Sequence, residues 1–142
     1  MSPERRGGGW SARRLGDLPL AAQTEPGAAW YPLQHVFGLT AFGANAFVAA
    51  AAGDALVEEH DETKSGQEEL YLIVRGRARF TIDGEAVDAP AVTVVAIRDP
   101  SVKRSAVALE PDTTLVALGG LPRADFRSTW SEAHFEGVPR LL

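Results

Sequence analysis

The sequence predicts an all-β domain built as an antiparallel sandwich or barrel. The chain contains about eight to ten short apolar segments, separated by turn residues at short intervals. Residues 77–82 alternate charged and apolar side chains, which is the pattern of a strand with one solvated face. Asp83-Gly84 directly follows this segment, and an Asp-Gly pair between two strands is a strong hairpin signal.

The chain divides into four predicted parts. Residues 1–14 are predicted as a flexible basic tail, residues 15–32 as an irregular arm, residues 33–120 as the barrel, and residues 121–142 as a C-terminal segment. Predicted strands of the barrel cover residues 33–42, 45–50, 55–61, 69–74, 77–82, 85–88, 93–97, 103–109 and 113–118.

The C-terminal segment is the one place where a helix is predicted. Ser128 is a candidate cap for a short helix that turns Trp130, His134 and Phe135 toward the body. We expect this segment to pack on the barrel or on a partner subunit.

Composition limits the class of protein. A chain of 142 residues, 45% hydrophobic, suits one domain with one core. It has no cysteine, so disulfides and thiolate metal sites are excluded, and a cytoplasmic location is expected. No apolar run approaches the roughly 20 residues that span a bilayer, so no membrane partner is expected. The formal net charge of −5 argues against a nucleic-acid partner.

One ordered set of residues points to a fold family. Gly53 is followed by His60 and Glu62, then by Glu69, and Gly76 stands seven positions after Glu69. This order resembles the first motif of the cupin superfamily, which has a glycine, two closely spaced histidine-type ligands, a glutamate, and a glycine seven positions later. Here Glu62 replaces the second histidine, and the first gap is one residue longer than usual. The resemblance covers a little over half of the chain and implies a cupin-type jelly-roll β-barrel, a small-molecule ligand and a homodimer.

The same residues suggest two kinds of chemistry. Alternate residues of a strand share a face, so Glu58, His60 and Glu62 would lie together if the strand stays regular. His60, Glu62 and Glu69 offer one imidazole and two carboxylates, a set that suits a divalent metal such as Fe, Mn, Ni or Zn. Without a metal, His60 and Glu62 form a candidate acid–base pair, to which Tyr71 adds a hydroxyl. A tyrosine in such a strand is more often a packed core residue, which is the alternative for Tyr71.

The second motif of the family departs from its pattern in this chain. The resemblance implies a turn followed by a last histidine ligand, but residues 99–104 read DPSVKR. The histidine position falls on Arg104, Ser105 or Lys103, depending on the alignment. A cation there would oppose a bound metal and would pair with the acids of the first motif.

His35 is the remaining candidate for the site. It lies in the first predicted strand, on the same face as Leu33 and Phe37. If that face points into the barrel, His35 is a substitute ligand or base; the alternative is a packed, hydrogen-bonded histidine.

Two hypotheses follow from these residues. The first is a small-molecule-binding protein with an incomplete metal site, in which Arg104, Lys103, His35 and His60 hold a polar or anionic ligand. The second is an enzyme, either a metal-dependent oxygenase or isomerase, or a metal-free His/Glu acid–base catalyst. The direction of the Arg104 side chain discriminates between a metal site and a metal-free site.

Overall fold

The computed structural model describes residues 5–22 and 27–142 of the protein, and the predicted all-β class is confirmed. Within this part of the chain, eleven strands pair antiparallel into a two-stranded ribbon, a four-stranded sheet and a five-stranded sheet. The strands are β1 (Arg5–Gly7), β2 (Trp10–Ala12), β3 (Ala29–Tyr31), β4 (Gly43–Val48), β5 (Ala55–His60), β6 (Glu68–Arg75), β7 (Arg77–Ile82), β8 (Glu85–Pro90), β9 (Val94–Ile97), β10 (Arg104–Ala108) and β11 (Thr114–Gly120).

The two larger sheets enclose one hydrophobic core. Their strand orders are β5-β10-β7-β8 and β3-β4-β11-β6-β9. The first sheet contributes Leu56 and Phe80 to the core, and the second contributes Tyr71, Ile73 and Leu115. Both sheets therefore bury one face against the other, the arrangement expected of a jelly-roll barrel.

The hairpin predicted at Asp83-Gly84 is confirmed. Asp83 and Gly84 have φ angles of 48° and 83°, which is the left-handed pair that a two-residue turn of this kind requires. The turn pairs Ile82 with Glu85 and sets the register of β7 on β8. β7 also keeps the predicted alternation, since Ala78 and Phe80 are buried between exposed arginines.

Gly76 makes the tight link between β6 and β7. Its φ is +80°, and a Cβ there would lie 2.8 Å from the Thr113 Cα and closer still to the Thr113 Oγ1. The position therefore excludes a side chain both by conformation and by space.

We expect Gly76→Ala to lower the free energy of unfolding by about 1–3 kcal/mol. Gly84→Ala is the matched control, because Gly84 has a φ of +83° but nothing within 4 Å of its Cβ position. Urea unfolding of both variants distinguishes two effects. Backbone strain is common to both variants, whereas the steric clash with Thr113 arises only in Gly76→Ala. Equal losses in the two variants would contradict the role given to Thr113.

The amino-terminal part of the chain contains more regular structure than predicted. Residues 1–4 of the predicted flexible tail lie outside the described residues. Residues 5–12 instead form the β1–β2 hairpin, because Gly8 and Gly9 make its turn and Gly9 adopts a φ of 86°. The arm contains a 3-10 helix at Leu15–Asp17 and ends in β3, which pairs with β4. The five-stranded sheet thus begins at Ala29, before the predicted barrel boundary at residue 33.

The strand predicted over residues 33–42 is wrong. The structure has a short helix, α1 (Leu33–Phe37), in its place. Gly38 ends the helix in the left-handed conformation with a φ of 66°, and the Leu39 N–H donates to the Gln34 carbonyl at 2.8 Å. A glycine after the last turn favours this ending, so the apolar spacing of residues 33–37 was that of a helical turn.

The C-terminal segment has the predicted short helical turn, but in a different place. A 3-10 helix spans Glu132–Phe135, and Ser131 caps it in place of Ser128. Every residue from 121 to 142 is exposed. The prediction that Trp130, His134 and Phe135 face the body is wrong, since Trp130 is 66% exposed. Over residues 5–22 and 27–142, no helix has the length and apolar character needed to cross a membrane.

Candidate functional site

Three strands bring the candidate residues together at one end of the barrel. His60 ends β5, and its Cα partner across the sheet is Arg104 of β10. Glu69 and Tyr71 lie on β6 in the opposite sheet and point inward, as alternate residues of one strand do. Glu62 follows β5 in the loop that leads to β6.

A bulge in β5 determines which side chains enter this site. The register pairs Arg104 with His60 but Ala106 with Val57, so three residues of β5 oppose two of β10. Leu56 and Val57 are consequently both buried, and regular alternation is lost. Glu58 does not add its carboxylate to the cluster as predicted, but its carbonyl accepts a hydrogen bond from His60 Nδ1 at 2.7 Å.

The imidazole of His60 lies between two carboxylates. His60 Nε2 is 3.1 Å from Glu62 Oε1 and 3.6 Å from Glu69 Oε1. Because a carbonyl only accepts, His60 Nδ1 carries a proton, and Nε2 of a neutral ring is then an acceptor. A second proton must therefore lie between His60 Nε2 and Glu62 Oε1, bound to one of these two atoms. Ser65 Oγ donates to the remaining oxygen of Glu62.

Arg104 enters the barrel and pairs with Glu69. Its side chain is 0% exposed, and its Nη1 donates to Glu69 Oε1 at 3.0 Å. The same oxygen accepts from the Tyr71 hydroxyl at 3.0 Å. Arg104 Nε and Nη2 have no hydrogen-bond partner among the described residues. Glu69 is thus the shared acceptor that joins the cation to the rest of the cluster.

The pKa values of the two carboxyl groups, Glu62 and Glu69, are shifted in opposite directions. Burial raises the pKa of Glu69, and the neighbouring Glu62 raises it further. Burial also opposes the ionisation of Glu62, but hydrogen bonds from Ser65 and Glu69 and the charge of His60 outweigh it, so the pKa of Glu62 is lowered. Burial raises the pKa of Tyr71, which therefore keeps its proton and acts as a donor.

The predicted metal ligands come together, and a buried cation lies beside them. Ligand atoms of His60, Glu62 and Glu69 lie within 4.8 Å of one another. However, the Arg104 guanidinium is 3.0 Å from Glu69 Oε1, where it repels a second cation, and with Tyr71 it already occupies that oxygen. The donor set is that of a hard divalent ion, while the guanidinium already offsets one of its two carboxylates.

A cavity of about 690 Å³ adjoins the cluster. The cluster contributes His60, Glu62, Glu69 and Tyr71 to its lining. Strands β3, β4 and β11 contribute Trp30, Asn45, Phe47 and Ala117. The Trp30 and Phe47 rings stack with centroids 6.2 Å apart, and the Trp30 Nε1 donates to Asn45 Oδ1 at 2.8 Å. The lining on β3 and β4 therefore includes an aromatic pair, and the lining around His60, Glu62 and Glu69 is polar.

Two predicted ligand-binding residues lie outside this cavity. Lys103 is 60% exposed and its Nζ is 3.8 Å from Glu59 Oε1, because it is adjacent to the inward-facing Arg104 and so points outward. His35 is exposed on α1 and lines a different recess, with Leu20 and Val36. The assignments of Lys103 and His35 to the barrel site are therefore wrong.

Sequence reasoning missed part of the site. Asn45, Gln67 and Ser65 carried no motif signal, and they reach the site only through the folding of β4 and the β5–β6 loop. Trp30 and Phe47 also carried no distinguishing signal, because aromatic residues in a small barrel are usually core. The pairing of β3 with β4, which brings Trp30 opposite Phe47, was the missing information.

Comparison with known proteins identifies the fold. No family model and no curated protein match the sequence. KdgF from Halomonas sp. is 20% identical with a TM-score of 0.58, over 73% of this chain and 87% of that chain. A sugar phosphate isomerase of the cupin superfamily from Silicibacter pomeroyi is 15% identical with a TM-score of 0.61, over 77% and 74%. The nucleoside dehydratase Pac13 is 13% identical with a TM-score of 0.55, over 75% and 78%; a variant from Streptomyces was solved with uridine.

Proposed function

Because the chain has a cupin fold, we propose that it binds a small, neutral, hydroxyl-bearing molecule in the barrel cavity without a resident divalent metal. The pairing of Arg104 with Glu69 carries this proposal. The guanidinium supplies the positive charge that would otherwise come from a metal, and it holds Glu69 in place. His60, Glu62 and Tyr71 then meet the ligand directly, through hydrogen bonds.

The charge of the cavity favours a neutral ligand over an anionic one. Two carboxylates of the cluster, those of Glu62 and Glu69, belong to residues that line the cavity. Arg104 is committed to Glu69 and is absent from the lining residues, so an anion would meet more negative than positive charge. Hydroxyl groups both donate and accept, which suits a wall of carboxylates, an imidazole and a phenol.

The aromatic wall favours a ligand with a flat face. Trp30 and Phe47 line the same cavity as the polar cluster, and planar rings stack well on aromatic side chains. A sugar face or a nucleoside meets both requirements. Pac13, a nucleoside dehydratase solved with uridine, is a neighbouring structure whose named ligand is of this kind.

We expect neutral probes to raise the melting temperature more than their phosphorylated counterparts. Uridine against uridine 5′-monophosphate is one matched pair, and an aryl glycoside against its 6-phosphate is another. Trp30→Leu should weaken binding of the neutral probe about tenfold, through loss of the stacking surface. Titration calorimetry measures the effect.

Trp10→Leu is the control for this prediction, because Trp10 lies on β2, is 57% exposed, and does not line the cavity. Its affinity for the probe should equal that of the unmodified protein. Stabilisation by the phosphorylated probes alone, or equal weakening in both tryptophan variants, would contradict the proposal.

The metal-free character of the site has its own test. Protein purified without a metal-affinity tag should contain no stoichiometric Fe, Mn, Ni or Zn by elemental analysis, because Arg104 repels a divalent ion. Addition of the same metals should leave the melting temperature unchanged, because only an ion that binds the folded state would raise it. A stoichiometric metal would overturn the proposal.

A second candidate function is metal-free acid–base catalysis on the bound molecule. The observation that favours it is the pair of carboxyl groups with opposite pKa shifts beside His60, since such pairs separate into an acid and a base. Candidate substrates in deuterated buffer should gain deuterium or lose water, as detected by mass spectrometry. Glu62→Gln should abolish that change while the probe still binds; turnover that persists in Glu62→Gln would exclude this role.

A further inference from the structure

The C-terminal segment, residues 121–142, presents many apolar side chains to solvent. Its large apolar residues are Leu121, Phe126, Trp130, Phe135, Val138, Leu141 and Leu142, each between 43% and 92% exposed. The segment leaves the barrel at Gly120, the last residue of β11, and its end returns to line a recess with Ile82 and Arg98. Both ends therefore lie at the barrel, while the aromatic middle projects away from it.

A second apolar surface lies on the outside of the five-stranded sheet. The outer sheet face consists of the outward side chains Leu70, Leu72 and Val74 of β6, Val94 and Ala96 of β9, and Val116 and Leu118 of β11. Register places them side by side, with Leu70 between Leu118 and Ala96, and Leu72 between Val116 and Val94. All seven positions are apolar, and Val94 is 55% exposed.

This face is covered on one side only. Ala44 and Ala46 of β4 share it by register with Leu118 and Val116. They are 3% and 0% exposed, whereas Leu118 is 39% exposed. The uncovered area thus runs over the three neighbouring strands β11, β6 and β9, and it is a continuous patch of the kind that marks an interaction site.

We propose that the C-terminal segment of one copy packs on the outer sheet face of a second copy, and that the exchange is reciprocal in a symmetric homodimer. One type of contact, made twice, then covers both apolar surfaces of each chain. A partner of a different kind would have to match two separate surfaces. With both ends of the 22-residue segment (121–142) at their own barrel, its middle can extend by about half of its extended length, on the order of 35 Å at about 3.3 Å per residue. That distance exceeds the width of three neighbouring strands, about 15 Å.

The available area is sufficient for a stable dimer. Phe126, Trp130 and Phe135 contribute about 150–250 Å² each when fully buried. The two copies together bring six such side chains, which at their present exposure supply on the order of 700 Å². The sheet faces that cover them lose a comparable area. The sum falls within the roughly 1,200–2,000 Å² of a standard specific interface.

Several polar groups of the segment are already paired within it. Arg123 and Asp125 pair with each other at 2.7 Å, and the Trp130 ring meets the His134 ring edge-on at 5.4 Å. Arg127 donates to the carbonyls of Ala124 and Phe126. These local contacts shape the segment before it meets a partner.

Sedimentation and light scattering of the full chain test the proposal. The unmodified protein should be a dimer, and Trp130→Ser should weaken dimerisation by at least tenfold, as should Val94→Lys on the other surface. Trp10→Ser is the control, since Trp10 is equally exposed but belongs to neither surface. The control should remain dimeric.

Mixing the two interface variants identifies reciprocal exchange. Each variant alone breaks both contacts of its dimer, whereas a mixed dimer of Trp130→Ser with Val94→Lys retains one contact between unmodified surfaces. Dimer should therefore reappear on mixing. A monomeric unmodified protein, a dimer unaffected by both variants, or no recovery on mixing would overturn the proposal.

Discussion

Arg104→Met is expected to lower the free energy of unfolding by about 3–5 kcal/mol near pH 8. The substitution keeps a long, apolar side chain in a position that is 0% exposed, so loss of packing is small. What it removes is the cation that lies 3.0 Å from Glu69 Oε1. Glu69 is 12% exposed and is left as a buried carboxylate held by the Tyr71 hydroxyl and the nearby imidazole. Urea unfolding of the variant and the unmodified protein measures the difference.

A surface ion pair of the same length provides the control. Arg77 Nη2 lies 3.0 Å from Asp88 Oδ2, but the two side chains are 47% and 60% exposed. Arg77→Met should therefore cost at most about 1 kcal/mol. Arg104→Lys should recover part of the stability lost in Arg104→Met, because it restores the charge without the geometry of the guanidinium. If Arg104→Met and Arg77→Met lowered the free energy of unfolding equally, burial of the Arg104–Glu69 pair would contribute nothing to stability.

The same variant should acquire affinity for divalent metals. With the guanidinium gone, ligand atoms of His60, Glu62 and Glu69 remain within 4.8 Å of one another and the opposing charge is absent. Mn, Ni or Zn should raise the melting temperature of Arg104→Met and leave that of the unmodified protein unchanged. The double variant with Glu62→Gln should lose the response. No metal response in Arg104→Met would show that charge was not what excludes the ion.

Sequence patterns predicted the barrel because each strand carries its own signal. The alternation in β7 and the Asp83-Gly84 turn are local, and no distant contact is needed to interpret them. The motif residues His60, Glu62 and Glu69 also came together as expected. The resemblance to the cupin motif identified these residues by their spacing. The two-residue period of a strand predicted that alternate residues face the same side.

The errors arise where the face of a residue depends on another strand. The bulge in β5 follows from its pairing with β10, and it turns Glu58 out of the cluster although Glu58 and His60 are two residues apart. The choice between Lys103 and Arg104 likewise needed the parity of β10 in the finished sheet. His35 was misplaced because five apolar and polar residues suit a helical turn as well as a strand, and Gly38 decides between them.

The two carboxyl groups of the site should respond to pH in opposite ways. Because the pKa of Glu62 lies below its usual 4.5, ionised Glu62 stabilises the folded protein above that pH, and the benefit is lost as pH falls through the lowered pKa. The pKa of Glu69 is raised above 4.5, so the stability from its protonated form is present in acid and is lost as pH rises through the raised pKa. Glu62→Gln should therefore become more costly from about pH 4 to pH 8, and Glu69→Gln less costly.

The physical reason for this asymmetry is the position of each side chain. Glu69 is the more deeply placed of the two, at 12% exposure against 19%, so burial dominates its ionisation. Glu62 receives the Ser65 hydroxyl and the His60 ring, and both favour its charged form. A glutamine at residue 69 still accepts from Arg104 and Tyr71, whereas a glutamine at residue 62 cannot balance the charge of His60.

Urea unfolding across this pH range distinguishes the two carboxyl groups. Glu59→Gln is the control, because Glu59 is 67% exposed and its pair with Lys103 spans 3.8 Å, so its cost should stay within about 0.5 kcal/mol throughout. Crossing curves for Glu62→Gln and Glu69→Gln would assign the ionised carboxylate to Glu62. Parallel curves would mean that the two groups share one environment, and the acid–base division between them would fail. An ionised Glu62 at neutral pH would also meet the first requirement of a general base, which must be ionised before it can accept a proton from a bound hydroxyl.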